Sequence, residues 1–161
     1  MKHLARSIVL CILAAFAVSA AAQEEPSLST GQTLYLPIYS HLYYGDLDKA
    51  GKHGFTPLSV HVSIRNTDSR TTVKLLYARY YDTQGKLVRE FVPTTQAIPP
   101  LGTIELFVPR ADMAGGSGAN FLMAWSADAP ANLPLVEALH GDIREARSLV
   151  FLTSARPVRA R

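Results

Sequence analysis

Leu58-Ser59-Val60-His61-Val62-Ser63-Ile64-Arg65 alternates apolar and polar residues without a break. In an extended chain successive side chains point to opposite faces, so Leu58, Val60, Val62 and Ile64 share one side and Ser59, His61, Ser63 and Arg65 the other. The segment reads as a strand with one face in a core and one in water. Asn66-Thr67-Asp68-Ser69 follows, and such side chains bond readily to nearby backbone and close a turn.

Outward from this strand the pattern recurs. Residues 73–81 resume as a strand, Asp82-Thr83-Gln84-Gly85 turns the chain back, and residues 86–92 return as the hairpin partner. Pro93, Pro99, Pro100 and Gly102 break the next stretch into a crossing loop, after which residues 103–108 extend again with Ile104, Leu106 and Val108 on one side. Residues 120–126 place Phe121, Met123 and Trp125 on one face, and Trp125 is expected in the core. Pro130 and Pro134 bracket a connection; residues 135–141 and 149–153 give two more strands, and residues 35–39 open the set. No stretch carries apolar residues at helical spacing over several turns, although residues 142–147 suit a single helical turn capped by Asp142. About eight short strands separated by Gly, Pro, Asn and Asp predict an all-β fold, a single immunoglobulin-like β-sandwich ahead of a small barrel. No internal repeat is visible.

The N-terminus has a different character. Lys2 and Arg6 precede an apolar run over residues 8–18, which ends in Ser19-Ala20-Ala21-Ala22 before polar Gln23. That is the layout of a secretory signal peptide over residues 1–22, and the run is shorter than the roughly 20 residues that cross a bilayer. The protein is expected to be periplasmic or secreted, with no transmembrane segment once the signal is removed. The one cysteine, Cys11, lies inside the run behind bulky Leu10, which argues against lipid attachment and leaves no cysteine after cleavage. Stability must then come from apolar burial and not from disulfides. Removing residues 1–22 of 161 leaves about 139, enough for one domain. Residues 23–32 read as a flexible polar lead-in, 33–154 as the sandwich, and 155–161 as a frayed basic tail.

The formal charge of +3 does not imply a nucleic-acid partner. Without Lys2 and Arg6 the 16 basic residues fall to 14 against 13 acidic, and without Arg156, Arg159 and Arg161 as well they fall to 11. A basic face that tracks phosphates is not supported.

Several segments together resemble a known family: Ser40-His41-Leu42-Tyr43-Tyr44-Gly45-Asp46, Ser63-Ile64-Arg65-Asn66-Thr67-Asp68, Arg79-Tyr80-Tyr81-Asp82 with Gly85-Lys86-Leu87-Val88-Arg89, and Val136-Glu137-Ala138 after Trp125. The most specific is Gly115-Gly116-Ser117-Gly118-Ala119-Asn120-Phe121. The sequence resembles, from about Thr33 to Ser154, the exported bacterial proteins grouped as domain of unknown function 3124. The resemblance implies a bacterial envelope protein and brings no activity, ligand or catalytic residue with it. The run Tyr81-Asp82-Thr83-Gln84-Gly85-Lys86-Leu87-Val88 is also similar to a hairpin of many bacterial immunoglobulin-like domains.

Gly115-Gly116-Ser117-Gly118-Ala119 is one residue short of a nucleophile elbow, and Asp128 and His140 follow in the order such hydrolases use. An elbow needs a helix behind its serine, however, and the residues that follow Ser117 have the period of a strand. Glycines there serve equally to permit positive φ and close backbone approach, or to present amides to an anion. His41, His53, His61 and His140 have no ligand spacing and no cysteine to join them, so no metal site is assigned. Tyr35, Tyr39, Tyr43 and Tyr44 crowd one region and suit a ligand platform, Tyr43 and Tyr44 most of all because a Gly- and charge-rich loop follows them.

If eight strands alternate up and down, every second connection emerges at the same end. Residues 40–54, 82–85, 109–119 and 142–147 then gather there, with His41 and His140 near the rim; residues 66–71, 93–102 and 128–133 gather opposite. The candidate ligand-binding residues are Tyr43, Tyr44, Asp46, Asp82, Asp112, Ser117 and Asn120. Asp46, Asp48, Asp82, Asp112 and Asp142 at one end raise the possibility of a bridging calcium ion, against the simpler reading of separate turn aspartates. The expected function is a non-catalytic binding or assembly module without cofactor, serving a small ligand or an envelope protein. The alternatives are a serine hydrolase using Ser117 and a structural protein associating through a strand edge.

Overall fold

The computed structural model describes residues 27–159. The expected signal peptide, the first residues of the lead-in and the last two of the tail lie outside the described residues. The fold is all-β, with twelve strands among the described residues: β1 (Ser29–Ile38), β2 (His41–Tyr44), β3 (Gly54–Pro57), β4 (Ser59–Arg65), β5 (Val73–Tyr81), β6 (Leu87–Val92), β7 (Gln96–Ile98), β8 (Thr103–Val108), β9 (Ala119–Ala131), β10 (Leu135–Ile143), β11 (Ser148–Ser154) and β12 (Arg156–Val158). Each of the eight segments read as a strand is one.

Among the described residues two larger sheets and one two-stranded hairpin form, and no closed barrel. The larger runs β12-β1-β9-β5, and the far side of β5 carries β6 on its Ala78–Tyr81 half and β7 on its Val73–Leu75 half. The smaller runs β11-β10-β4-β8, and β2 and β3 make a separate hairpin. All pairings are antiparallel. The chain changes sheet between β4 and β5, β7 and β8, β8 and β9, and β9 and β10, so that β4 lies beside β8 in one sheet and β5 beside β9 in the other. That interlocking is compatible with an immunoglobulin-like sandwich.

The core is built from the alternation the sequence shows. Val60, Val62 and Ile64 of β4 and Val136 and Ala138 of β10 meet Leu34, Leu36, Ile38, Phe121, Met123 and Trp125 of the larger sheet. Tyr80 stacks on Phe121 at 5.0 Å, and Phe91 packs edge-on against both. Trp125 is buried, as expected.

Four boundaries differ from the sequence reading. β1 begins at Ser29, inside the presumed lead-in, because its backbone pairs with β9 from Gly31↔Ser126 onward. The tail contributes β12, which pairs Leu34 with Pro157. Main-chain pairing along an existing edge needs no apolar pattern, so composition is silent about both segments, and a proline is tolerated on such an edge. β9 continues through Pro130, which is possible because its pairing with β5 ends at Ala127 and frees that side. Finally, residues 142–147 form no helical turn. Ile143 pairs with Ser148, and the Arg144 amide donates to the Arg147 carbonyl at 3.0 Å, a tight hairpin turn.

One end is locked by Asn66. Its buried Nδ2 donates to the carbonyls of Thr71, Ile98 and Pro99 at 2.8, 3.0 and 3.1 Å. Asp68 accepts from the amides of Arg70, Thr71 and Asn132, which hold its carboxyl down at about 2. These contacts join the 66–71, 93–102 and 128–133 segments into one structural cap, leaving the opposite end as the place to look for function.

Candidate functional site

The four connections at the opposite end do come together, and Ser40 and Thr83 join three of them. The Ser40 amide donates to Gly116 O at 3.0 Å, its carbonyl accepts from Leu58 N at 2.8 Å, and its hydroxyl meets the Tyr80 hydroxyl at 2.9 Å. Thr83 brackets the glycine loop from the other side: its amide and hydroxyl donate to Gly115 O, and its Oγ1 accepts from Gly118 N.

The glycine run is therefore a clasp. A Cβ on Gly115 would overlap the Tyr80 hydroxyl, and Gly116 has φ +76° with Thr83 Oγ1 against it. Two amides of the supposed anion nest are already used, Gly116 N by Met113 O and Gly118 N by Thr83. No triad assembles around Ser117. Asp128 lies at the far end of β9, roughly 30 Å away at ~3.3 Å per residue, where it pairs with Lys74 at 2.7 Å. His140 is not at the rim but in the core, stacked on Phe151 at 4.5 Å with its Nε2 accepting from the Tyr39 amide.

The loop aspartates are dispersed. Asp48 and Asp82 each accept from two amides of their own turns, and Asp112 accepts from Ala114 N and from Arg89 Nη2 at 2.9 Å. Asp46 is exposed on the loop after β2. Among the described residues no three His, Cys, Asp or Glu side chains converge, and calcium has no cage here. Asn120 lies on the outer face of the larger sheet between Pro37 and Tyr81.

Tyr43 and Tyr44, by contrast, border a cavity of about 340 Å³ between the β2–β3 hairpin and the β10–β11 turn. Leu42, Thr56, Asp142, Arg147, Ser148 and Leu149 complete its wall. The hairpin is shaped for this: the Tyr44 ring lies over Gly54, where a Cβ would stand 3.0 Å from it. Tyr43 packs between the rings of His41 and His53. At the cavity's base, Asp142 is 2% exposed and accepts from Thr56 Oγ1 at 2.7 Å and Arg144 Nε at 3.0 Å, with Arg110 Nε at 3.4 Å. The Arg144 hydrogen bond, then that of Thr56, holds its carboxyl below the usual range against the effect of burial.

Residues 31–158 match the family described as Protein of unknown function (DUF3124). The chain belongs to that family. No curated protein matches it. Among solved structures it is similar to the crystal structure of Thermotoga maritima 1070, at 10% identity over 80% of this chain and 96% of that one, with a TM-score of 0.41; so loose a likeness carries no argument.

For this DUF3124 chain, the sequence reading found two wall residues, Tyr43 and Tyr44, and gathered Asp142 at the same end without assigning it to the site. A signal for Asp142 was present. Val136, Ala138 and His140 alternate inward along β10, and the same period carried two residues further turns Asp142 in. Arg147 left no such trace, because a four-residue turn has no pattern of its own.

Proposed function

We propose that the protein is an exported bacterial binding module without catalytic activity, periplasmic or secreted, whose ligand sits in the cavity between the β2–β3 hairpin and the β10–β11 turn. The observation that carries this reading is the cavity itself, at the small end of the roughly 300–1,000 Å³ typical of ligand sites, with a mostly apolar wall around a few polar groups. The leader-like residues 1–22 support export. The saturated Asp142 supports binding over catalysis, since a carboxylate engaged on both oxygens is poorly placed to take a proton.

The test is a protein-observed 1H–15N NMR fragment screen on the labelled mature protein, repeated on Leu149→Trp, which fills the cavity. Fragments that shift the Tyr43, Tyr44 and Leu149 amides and are lost in the variant support the reading. Fragment binding confined to other surfaces overturns it.

An assembly role has one specific observation in its favour. β12 covers the β1 edge, whereas β8 ends the smaller sheet with Phe107 56% exposed. An open edge of that kind suits antiparallel pairing with a second copy. A monomer by light scattering at high concentration removes this second reading.

A further inference from the structure

We propose that the ligand is a small amphipathic anion, its apolar body against Tyr43, Tyr44 and Leu149 and its charged head on Arg147. The inference rests on the cavity reading above and adds the chemical class. Three arginines, Arg110, Arg144 and Arg147, stand around one buried carboxylate, Asp142. Arg144 and Arg110 are engaged by Asp142, the nearer at 3.0 Å. Arg147 is not: among the described residues it has no ion-pair partner, and its guanidinium lies 5.8 Å above the Tyr44 ring on the cavity wall.

The turn geometry explains the division of labour. Arg144 and Arg147 are the first and last residues of the tight turn, closed by the Arg144 N to Arg147 O bond, so both leave it at the strand ends. Asp142, two residues before Arg144 on the inward face of β10, takes the nearer one. Glu145, the acid within the turn, is exposed and makes no ion pair among the described residues, and Asp46, Asp48, Lys49 and Lys52 lie on the neighbouring hairpin loop. A cationic ligand would meet an acid already neutralised by two arginines, whereas an anionic one meets an unengaged guanidinium beside flat apolar area. Guanidinium groups match carboxylate or sulfonate oxygens in two-pronged geometry, and the aromatic walls take a short chain or ring.

The experiment is calorimetric titration of the mature protein with sodium octanoate, 1-octanol and octylammonium at one ionic strength. Octanoate is expected to bind at least about fivefold tighter than either analogue, the worth of one charge-assisted contact partly open to water. Arg147→Gln should lose that preference, octanoate weakening more than octanol, Arg147→Lys should keep part of it, and Leu149→Trp should abolish binding of all three. Equal affinities for the three, or an Arg147→Gln protein that still prefers octanoate, overturns the anion assignment and leaves the cavity reading standing. Binding of all three unaffected by Leu149→Trp overturns both.

Discussion

The Tyr80 hydroxyl lies 2.9 Å from the Ser40 hydroxyl, and both residues are 0% exposed. The contact ties the middle of the larger sheet to the crossing between β1 and β2, whose backbone at Ser40 is already bonded to Gly116 and Leu58. Tyr80→Phe leaves a buried hydroxyl without its partner, which costs about 1–2 kcal/mol. Urea denaturation measures it, and a midpoint equal to wild type would refute the role given to this pair. Gly115→Ala should cost more, because its Cβ meets the Tyr80 hydroxyl and also stands 2.7 Å from the Ala119 Cβ. The double variant should be less unstable than the sum of the two, since removing the hydroxyl relieves one of the clashes.

Ser117→Ala should leave stability within about 0.5 kcal/mol of wild type, as expected of a loop serine with no side-chain hydrogen bond among the described residues. A fluorophosphonate probe should label neither protein. Labelling of wild type that disappears in the variant would restore the hydrolase reading.

The two ends of the sandwich differ in how far the sequence reveals them. Strand alternation located all eight main strands and the end to which each connection goes, because period-two burial is a local property of the chain. The short strands β2, β3, β7 and β12 escaped, since their side chains are mostly exposed or few and their pairing is made by backbone. The site was half legible for the same reason. Tyr43 and Tyr44 stand out by residue type, while the placement of Arg147 over Tyr44 depends on two hairpins from distant parts of the chain meeting at one end. Asp48, Asp82 and Asp112 serve their own turns, as the simpler reading had it, although a turn that needs an acceptor and a site that needs a charge look alike in sequence.

Asn66 presents a harder test of the far end. Asn66→Ala leaves the Thr71, Ile98 and Pro99 carbonyls without their shared donor and should cost about 2–3 kcal/mol. Asn66→Asp keeps the shape and turns a carboxylate toward the same carbonyls, so it should be worse still. An aspartate variant as stable as wild type would show that the amide is not the donor.

Leu101 is 70% exposed and sits at φ 58°, after Pro99-Pro100, in a turn closed by Gly102 N to Pro99 O at 2.9 Å. Positive φ at the third position of such a turn suits Gly or Asn and strains a leucine. Leu101→Asn should therefore stabilise the protein by about 0.5–1 kcal/mol. A lower melting temperature would count against the strain.

His140 sets the response to acid. Burial drives its pKa from 6.5 down to about 4, against the pull of the Ala138 and Phe151 carbonyls, and its Nε2 must stay unprotonated to accept from the Tyr39 amide. The unfolded chain takes up a proton near pH 6.5 and the folded one only near 4, so between those values the unfolded state binds more protons and stability rises with pH. Above pH 6.5 the contribution is flat; as pH falls from 6.5 to 4 the protein should lose roughly 2–3 kcal/mol. The carboxylates act in a separate window. Asp68, at about 2 in the fold against 3.8, contributes stability that is present above 3.8 and lost below it. His140→Phe keeps a ring against Phe151 and removes the titration, though it leaves the Tyr39 amide unpaired. Urea unfolding of both proteins at pH 7.5, 6.5, 5.5 and 4.5 separates the effects. The variant should be less stable at pH 7.5 and nearly flat down to 4.5, while wild type descends toward it. Parallel curves for the two proteins would show that His140 is not the group responsible.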